Sequence, residues 1–133
     1  MVADDKIVVT TLIENGENPG QCKVLVMGIT FKEDVADIRN SKVVDMVKEL
    51  MSYSLNVHVV DPWASANEVA HEYGLGLLGA PSGKFDAIVV AVAHKEYKEL
   101  SKQDLVDLSQ NKVLLFDIKG VLNPEMGDFY WKL

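Results

Sequence analysis

Short apolar runs alternate with longer amphipathic stretches along this chain. Residues 23–29 (KVLVMGI), 86–92 (DAIVVAV) and 112–117 (KVLLFD) are nearly continuous and rich in β-branched residues, the pattern of strands buried on both faces. Residues 56–60 form a further strand closed by Asp61-Pro62, while 75–78 and 129–132 read as short edge strands. Between them, Ser41 is placed to cap a helix carrying Val43, Val44, Met46, Val47, Leu50 and Met51 on its apolar stripe. Residues 64–73 suggest another helix, with Gly74 at its C-terminal stop, and Gly79, Pro81, Ser82 and Gly83 then break the chain. Two helical segments follow at 94–100 and 101–108, the second capped by Ser101. Ahead of the first strand, residues 3–15 predict a helix with Ile7, Val8 and Leu12 on one stripe, ended by Asn15-Gly16 and a turn at Asn18-Pro19-Gly20.

Strands alternating with helices imply an α/β fold, because each parallel return needs a crossover that covers a sheet face. Right-handed crossovers give a Rossmann-like, doubly wound, mainly parallel sheet of about five to six strands in a three-layer αβα arrangement. In such sheets ligands sit beyond the C-terminal ends of the strands, near the point where the strand order reverses. That places Thr30, Phe31, Lys32, Glu33, Asp34, Asp37 and Arg39 after the first strand, Asp61, Pro62 and Trp63 after the second, then His94, Lys119 and Gly120. Three cations, Lys32, Arg39 and Lys119, thus fall on one rim, beside the helix N-terminus at Ser41. A phosphate-bearing small molecule is the simplest ligand for that rim. Surface pairing of Lys32 and Arg39 with Glu33, Asp34 or Asp37 fits the same residues, as does a turn role for Lys119 before Gly120. His94 reads as a helix-start residue, Asp61-Pro62-Trp63 as a chain reversal, and Cys22 as a structural thiol away from the rim.

A length of 133 residues fits one domain with a core that needs no disulfide or metal. The net charge of −7, from 20 acidic and 13 basic residues, sets a field that repels nucleic acid and anionic membranes. No apolar run reaches the ~20 residues of a membrane span, the first residues are acidic rather than signal-like, and Cys22 stands alone. The expectation is a cytoplasmic domain. Gly28 is followed by Ile29-Thr30-Phe31-Lys32, so the dinucleotide G-x-G-x-x-G loop is missing, as are a P-loop, a zinc-spaced Cys/His cluster and a G-x-S-x-G elbow.

Residues 24–42, VLVMGITFKEDVADIRNSK, together with VVDPW at 59–63, DAIVVAVAH at 86–94, FDIKGVL at 116–122 and YWKL at 130–133, resemble one family. They look like the C-terminal, UDP-binding domain of the UDP-glucose/GDP-mannose dehydrogenases, and most like the branch acting on UDP-N-acetylhexosamines. The resemblance covers residues 23–133, and residues 1–22 resemble the tail and linker of the family's interdomain helix. It implies a domain of a larger enzyme, with Met1 an artificial start. Such enzymes oxidise the sugar C6 alcohol to a carboxylate in two NAD-dependent hydride transfers through a cysteine adduct. The resemblance puts NAD mainly on an N-terminal domain and the catalytic cysteine on a central one, so no catalytic residue and no metal site is expected here. Cys22 lies outside the family's cysteine motif. By motif match, Phe31, Lys32 and Lys119 would contact the UDP-sugar and Arg39 the NAD phosphates, with Asp37 and Ser41 supporting them. Lys119 stands where many relatives have an arginine, which removes a bidentate fork from that contact. The full-length enzyme would be a homodimer assembled through its central region, leaving the isolated domain a monomer.

Two other readings compete. In a receiver-like signalling module Asp61 would be the phosphoacceptor, Lys119 its lysine, and Glu33 with Asp34 the magnesium ligands. The acidic pair, however, lies well past the strand end, and Asp61 closes the second strand rather than the third. A stand-alone NAD-binding regulatory domain is the other, weakened by the missing glycine fingerprint.

Overall fold

The computed structural model describes residues 2–81 and 83–133, so the predicted break at Ser82 lies outside the described residues. Strands β1 (Lys23–Met27), β2 (Asn56–Val60), β3 (Leu77–Leu78), β4 (Ala87–Val90), β5 (Leu114–Asp117) and β6 (Phe129–Trp131) form a single sheet. Its order is β3-β2-β1-β4-β5-β6 and every neighbouring pair is parallel. The order reverses between β1 and β4, which is where a doubly wound sheet opens a crevice.

Side-chain alternation on β1 sorts the core into two layers. Val24 and Val26 join the apolar cluster of α1 (Val2–Glu14), α2 (Lys42–Ser52) and α3 (Ala66–Tyr73), through Val8, Leu12, Val44, Val47, Leu50 and Val69. Leu25 and Met27 face the other way, towards Tyr97 of α4 (Lys95–Lys98) and Leu105 of α5 (Lys102–Asp107), with Phe85, Leu115 and Leu122. The two layers on one sheet are the three-layer αβα arrangement read from the sequence. Among the described residues no helix is long and apolar enough to cross a membrane.

The strands are shorter than their apolar runs, and β1 shows why. Gly28 takes a φ of +104°, outside the range of extended backbone, so the strand ends at Met27 although Ile29 is also buried. Its amide donates to the Val60 carbonyl at 2.8 Å. A Cβ built on Gly28 would lie 2.6 Å from Val92 Cβ, so the glycine also lets the chain leaving β1 pass the chain leaving β4. On α1 the buried face is Asp5, Val8, Val9, Thr11 and Leu12, with Ile7 only half-buried, one position round from the predicted stripe.

Candidate functional site

Residues 30–41 run from the end of β1 to α2 without regular secondary structure, yet they are pinned at many points. Asp61, at the end of β2, is the main anchor. Its Oδ2 accepts from the amides of Ile29 (2.7 Å) and Thr30 (3.2 Å), and its Oδ1 from those of Trp63 (2.7 Å) and Ala64 (3.2 Å). His94, at the N-cap of α4, adds its Nε2 at 3.0 Å from Oδ2. A buried carboxylate needs this density of donors to stay folded inside. Farther along, the Phe31 amide donates to the Asp37 carbonyl at 2.7 Å, the Thr30 hydroxyl to the Lys32 carbonyl at 2.9 Å, and the Tyr73 hydroxyl to the Ile38 carbonyl. Asp34 and Asn40 take positive φ values of 56° and 59°, the left-handed turns that Asp and Asn tolerate best among side chains other than glycine.

The pinned loop walls a cleft of about 310 Å³ at the crevice between β1 and β4. The β1 end contributes Thr30, Phe31, Lys32 and Glu33, and the start of α2 contributes Asn40, Lys42, Val43 and Met46. Ala91 and Val92 follow β4, Ile118 and Lys119 follow β5, and Leu133 closes one side. The floor is therefore apolar, Phe31 is 55% exposed, and three lysines stand round the rim with one glutamate. On a chain with a net charge of −7 that is a local concentration of positive charge. An exposed ring, an apolar floor and ammonium donors suit a flat heterocycle that bears an anionic group.

Lys119 is held there by a second buried carboxylate. Asp117, fully buried at the end of β5, accepts from the amides of Val121 (3.1 Å) and Leu122 (2.8 Å) and from the Tyr130 hydroxyl (2.7 Å). Burial and the adjoining carboxylate push the Tyr130 phenol up to about 12, so it remains a donor.

Of the residues singled out by sequence, Phe31, Lys32 and Lys119 line the cleft and Arg39 does not. Arg39 lies outside, 81% exposed, with Nε 3.0 Å from Asp37 Oδ1 and Nη2 3.1 Å from Oδ2. The Asp37 side chain also accepts from the Arg39 amide at 2.9 Å, which turns the guanidinium onto its near neighbour rather than into the cleft. Those hydrogen bonds hold the Asp37 carboxyl below the usual carboxylate range. Ser41 occupies the N-cap of α2, but its hydroxyl makes no cap hydrogen bond and is buried without a partner. Sequence reading missed Lys42 and Asn40. Lys42 did leave a signal: a cation in the first turn of a helix opposes the dipole, an arrangement that favours a nearby anion.

Asp61 cannot serve as a phosphoacceptor, because its side chain is fully buried and its oxygens are occupied by backbone amides and His94. Among the described residues no His/Cys/Asp/Glu group is arranged to hold a metal ion, so Glu33 and Asp34 form no magnesium site with it. The turn between β1 and α2 also fails to make a dinucleotide cradle. One glycine is followed by a long side-chain-bearing loop where a tight glycine turn would have to approach a pyrophosphate.

Residues 25–124 match the family described as UDP-glucose/GDP-mannose dehydrogenase family, UDP binding domain. The chain is 45% identical over 107 residues to the UDP-N-acetyl-D-glucosamine 6-dehydrogenase of Pseudomonas aeruginosa, covering 80% of this chain and 25% of that protein. It is 40% identical over 122 residues to the enzyme of the same name from Salmonella typhi, covering 91% and 29%. In fold it matches the NDP-N-acetyl-D-galactosaminuronic acid dehydrogenase of Methanosarcina mazei with a TM-score of 0.87 at 22% identity, over 98% of this chain and 28% of that one. The chain thus spans between a quarter and three-tenths of the length of these proteins.

Proposed function

The chain belongs to the UDP-glucose/GDP-mannose dehydrogenase family, within its UDP-binding domain, and from that membership we propose that the β1/β4 cleft binds the nucleotide of a UDP-sugar. The observation that carries the reading is the gathering of Lys32, Lys42 and Lys119 round an apolar floor, with the Phe31 ring exposed at its edge. In this reading Phe31 packs against the uridine and Lys32 and Lys119 pair with diphosphate or ribose oxygens. Lys42 adds charge from the first turn of α2, and Asn40 a polar group beside it. The names of the relatives point to a UDP-N-acetylhexosamine as the sugar nucleotide.

The chain acts, on this proposal, as the nucleotide clamp of a longer cytoplasmic, homodimeric dehydrogenase that converts the sugar C6 alcohol to a carboxylate. Each of the two oxidation steps would pass one hydride to a separate NAD molecule, held mainly by another domain because the β1 turn here does not fit a dinucleotide. Arg39 is the group of this chain that meets the cofactor phosphates, presented from outside the cleft and oriented by Asp37. What this chain supplies is binding and orientation. Its apolar floor excludes water from one side of the nucleotide, and its rim charges fix the diphosphate and thereby the reach of the sugar.

Isothermal titration with UDP tests the assignment. Lys32→Ala and Lys119→Ala are each expected to weaken binding by about tenfold, the order of one charge-assisted hydrogen bond. Uridine without phosphates should lose most of the affinity, and with it the sensitivity to whichever lysine pairs with the diphosphate. Unchanged UDP affinity in both variants contradicts the site.

A further inference from the structure

The buried imidazole of His94 has no part in the cleft lining, yet it ties the end of β2 to the loop that carries Phe31 and Lys32. Its side chain is fully buried at the N-cap of α4. Nδ1 accepts from the Asp34 amide at 2.9 Å. Because that nitrogen accepts, Nε2 carries the hydrogen, and it points at Asp61 Oδ2 (3.0 Å) and Thr30 Oγ1 (3.1 Å). The contact is reciprocated, since Asp34 Oδ1 accepts from the Lys95 amide at 2.9 Å, one residue beyond His94. Trp63 stacks over the imidazole at 6.1 Å between centroids and is itself tied to Glu96 by its indole N–H at 2.9 Å, which keeps water off the ring.

We propose that His94 is a positioning residue for nucleotide binding: its imidazole, fixed in the Nε2–H form, holds residues 30–34 in the one conformation that presents Phe31 and Lys32 to the cleft. This rests on the nucleotide reading given above. What the imidazole holds is the backbone of Asp34. It sits at a φ of 56°, a left-handed conformation that even an aspartate adopts only at some cost, and the amide of that residue is the one the imidazole captures. Without that capture the loop samples other turns, and the apparent affinity for a ligand that needs the held form falls by the fraction held.

The test compares His94→Phe and His94→Asn in the 133-residue chain. Phenylalanine keeps the ring volume and removes both nitrogens. Asparagine leaves space but offers an amide oxygen near the Nδ1 position. Positioning predicts that His94→Phe loses amide protection at Asp34 and Phe31 while Val26 and Val89 keep theirs, and that its Kd for UDP rises at least about tenfold. It also predicts that His94→Asn recovers much of both. Space filling predicts the reverse order, so a phenylalanine variant that outperforms asparagine, or one that binds UDP like the unaltered chain, overturns the proposal. If His94→Phe does not fold, the nitrogen NMR of the unaltered ring decides, because an Nδ1–H imidazole is incompatible with the Asp34 contact. An unaltered chain that gives no response to UDP sinks the nucleotide reading alone, since protection at Asp34 still ranks the variants.

Discussion

Gly28 carries the most constraint of any single position at the crevice. Its φ of +104° and the 2.6 Å approach to Val92 Cβ leave an alanine no relaxed conformation. Gly28→Ala is therefore expected to lower stability by about 3 kcal/mol or more, read as a lower urea midpoint with an unchanged m-value. Cys22 illustrates the opposite case of an inert group. It is buried, its thiol leans on the Asn18 carbonyl at 3.2 Å, and burial followed by Asp86 and Glu17 pushes it from an ordinary 9.0 to about 11. The folded chain then keeps a proton that the unfolded chain releases, so this contribution to stability is intact below about pH 9 and is lost as pH rises through about 11. Iodoacetamide at pH 8 should label Cys22 only after unfolding, and rapid labelling of the native chain contradicts the burial. At this scale Lys32, Phe31 and Lys119 were legible because strand ends announce themselves in the pattern. The burial of Asp61 and His94 was not, since apart from Trp63 and Ala64 beside Asp61 their partners lie 31 to 64 residues away, beyond any local spacing.

Helix caps separate what a sequence specifies from what a fold merely permits. Ser101 makes a complete capping box with Asp104, its hydroxyl accepting at 3.1 Å and its amide donating to the carboxylate at 2.8 Å. Ser41 occupies the same kind of position on α2 with a buried, unpartnered hydroxyl. Ser101→Ala should therefore cost about 1 kcal/mol of unfolding free energy, while Ser41→Ala should change it by less than about 0.5 kcal/mol in the absence of nucleotide. Equal losses for the two would mean that Ser41 caps its helix in solution. The strands and α-helices named above followed from the pattern, including the edge strands β3 and β6, and Gly74 stops α3 in the left-handed conformation. Element ends did not, because the crossing of chains beyond the sheet decides them, as at Gly28. The helix α1 packs through Val8, Val9 and Leu12 into the same cluster as α2, so its face is set by that neighbour and not by its own weak stripe.

At the scale of the whole molecule, strand order turns local pattern into a site. Only with β1 and β4 side by side do the segments after β1, β4 and β5 meet the start of α2, and only then do three lysines share a rim on an acidic chain. Sequence pattern reached the sheet and two of those lysines. It set Arg39 beside them on the rim while also allowing a surface pair with Asp37, and the bidentate pair is the arrangement that forms and faces the guanidinium outward. Screening gives a further check: UDP affinity should fall several-fold between 50 mM and 300 mM salt, as expected for rim charges that remain solvated, and an affinity independent of salt would remove the lysines from the account. Amide NMR of the chain titrated with UDP locates the nucleotide directly. Binding in the β1/β4 cleft predicts shifts concentrated at residues 30–33, 40–46, 91–92 and 118–119, weakened throughout by Lys32→Ala. Saturable shifts centred elsewhere, or shifts at these residues that Lys32→Ala leaves unchanged, contradict it.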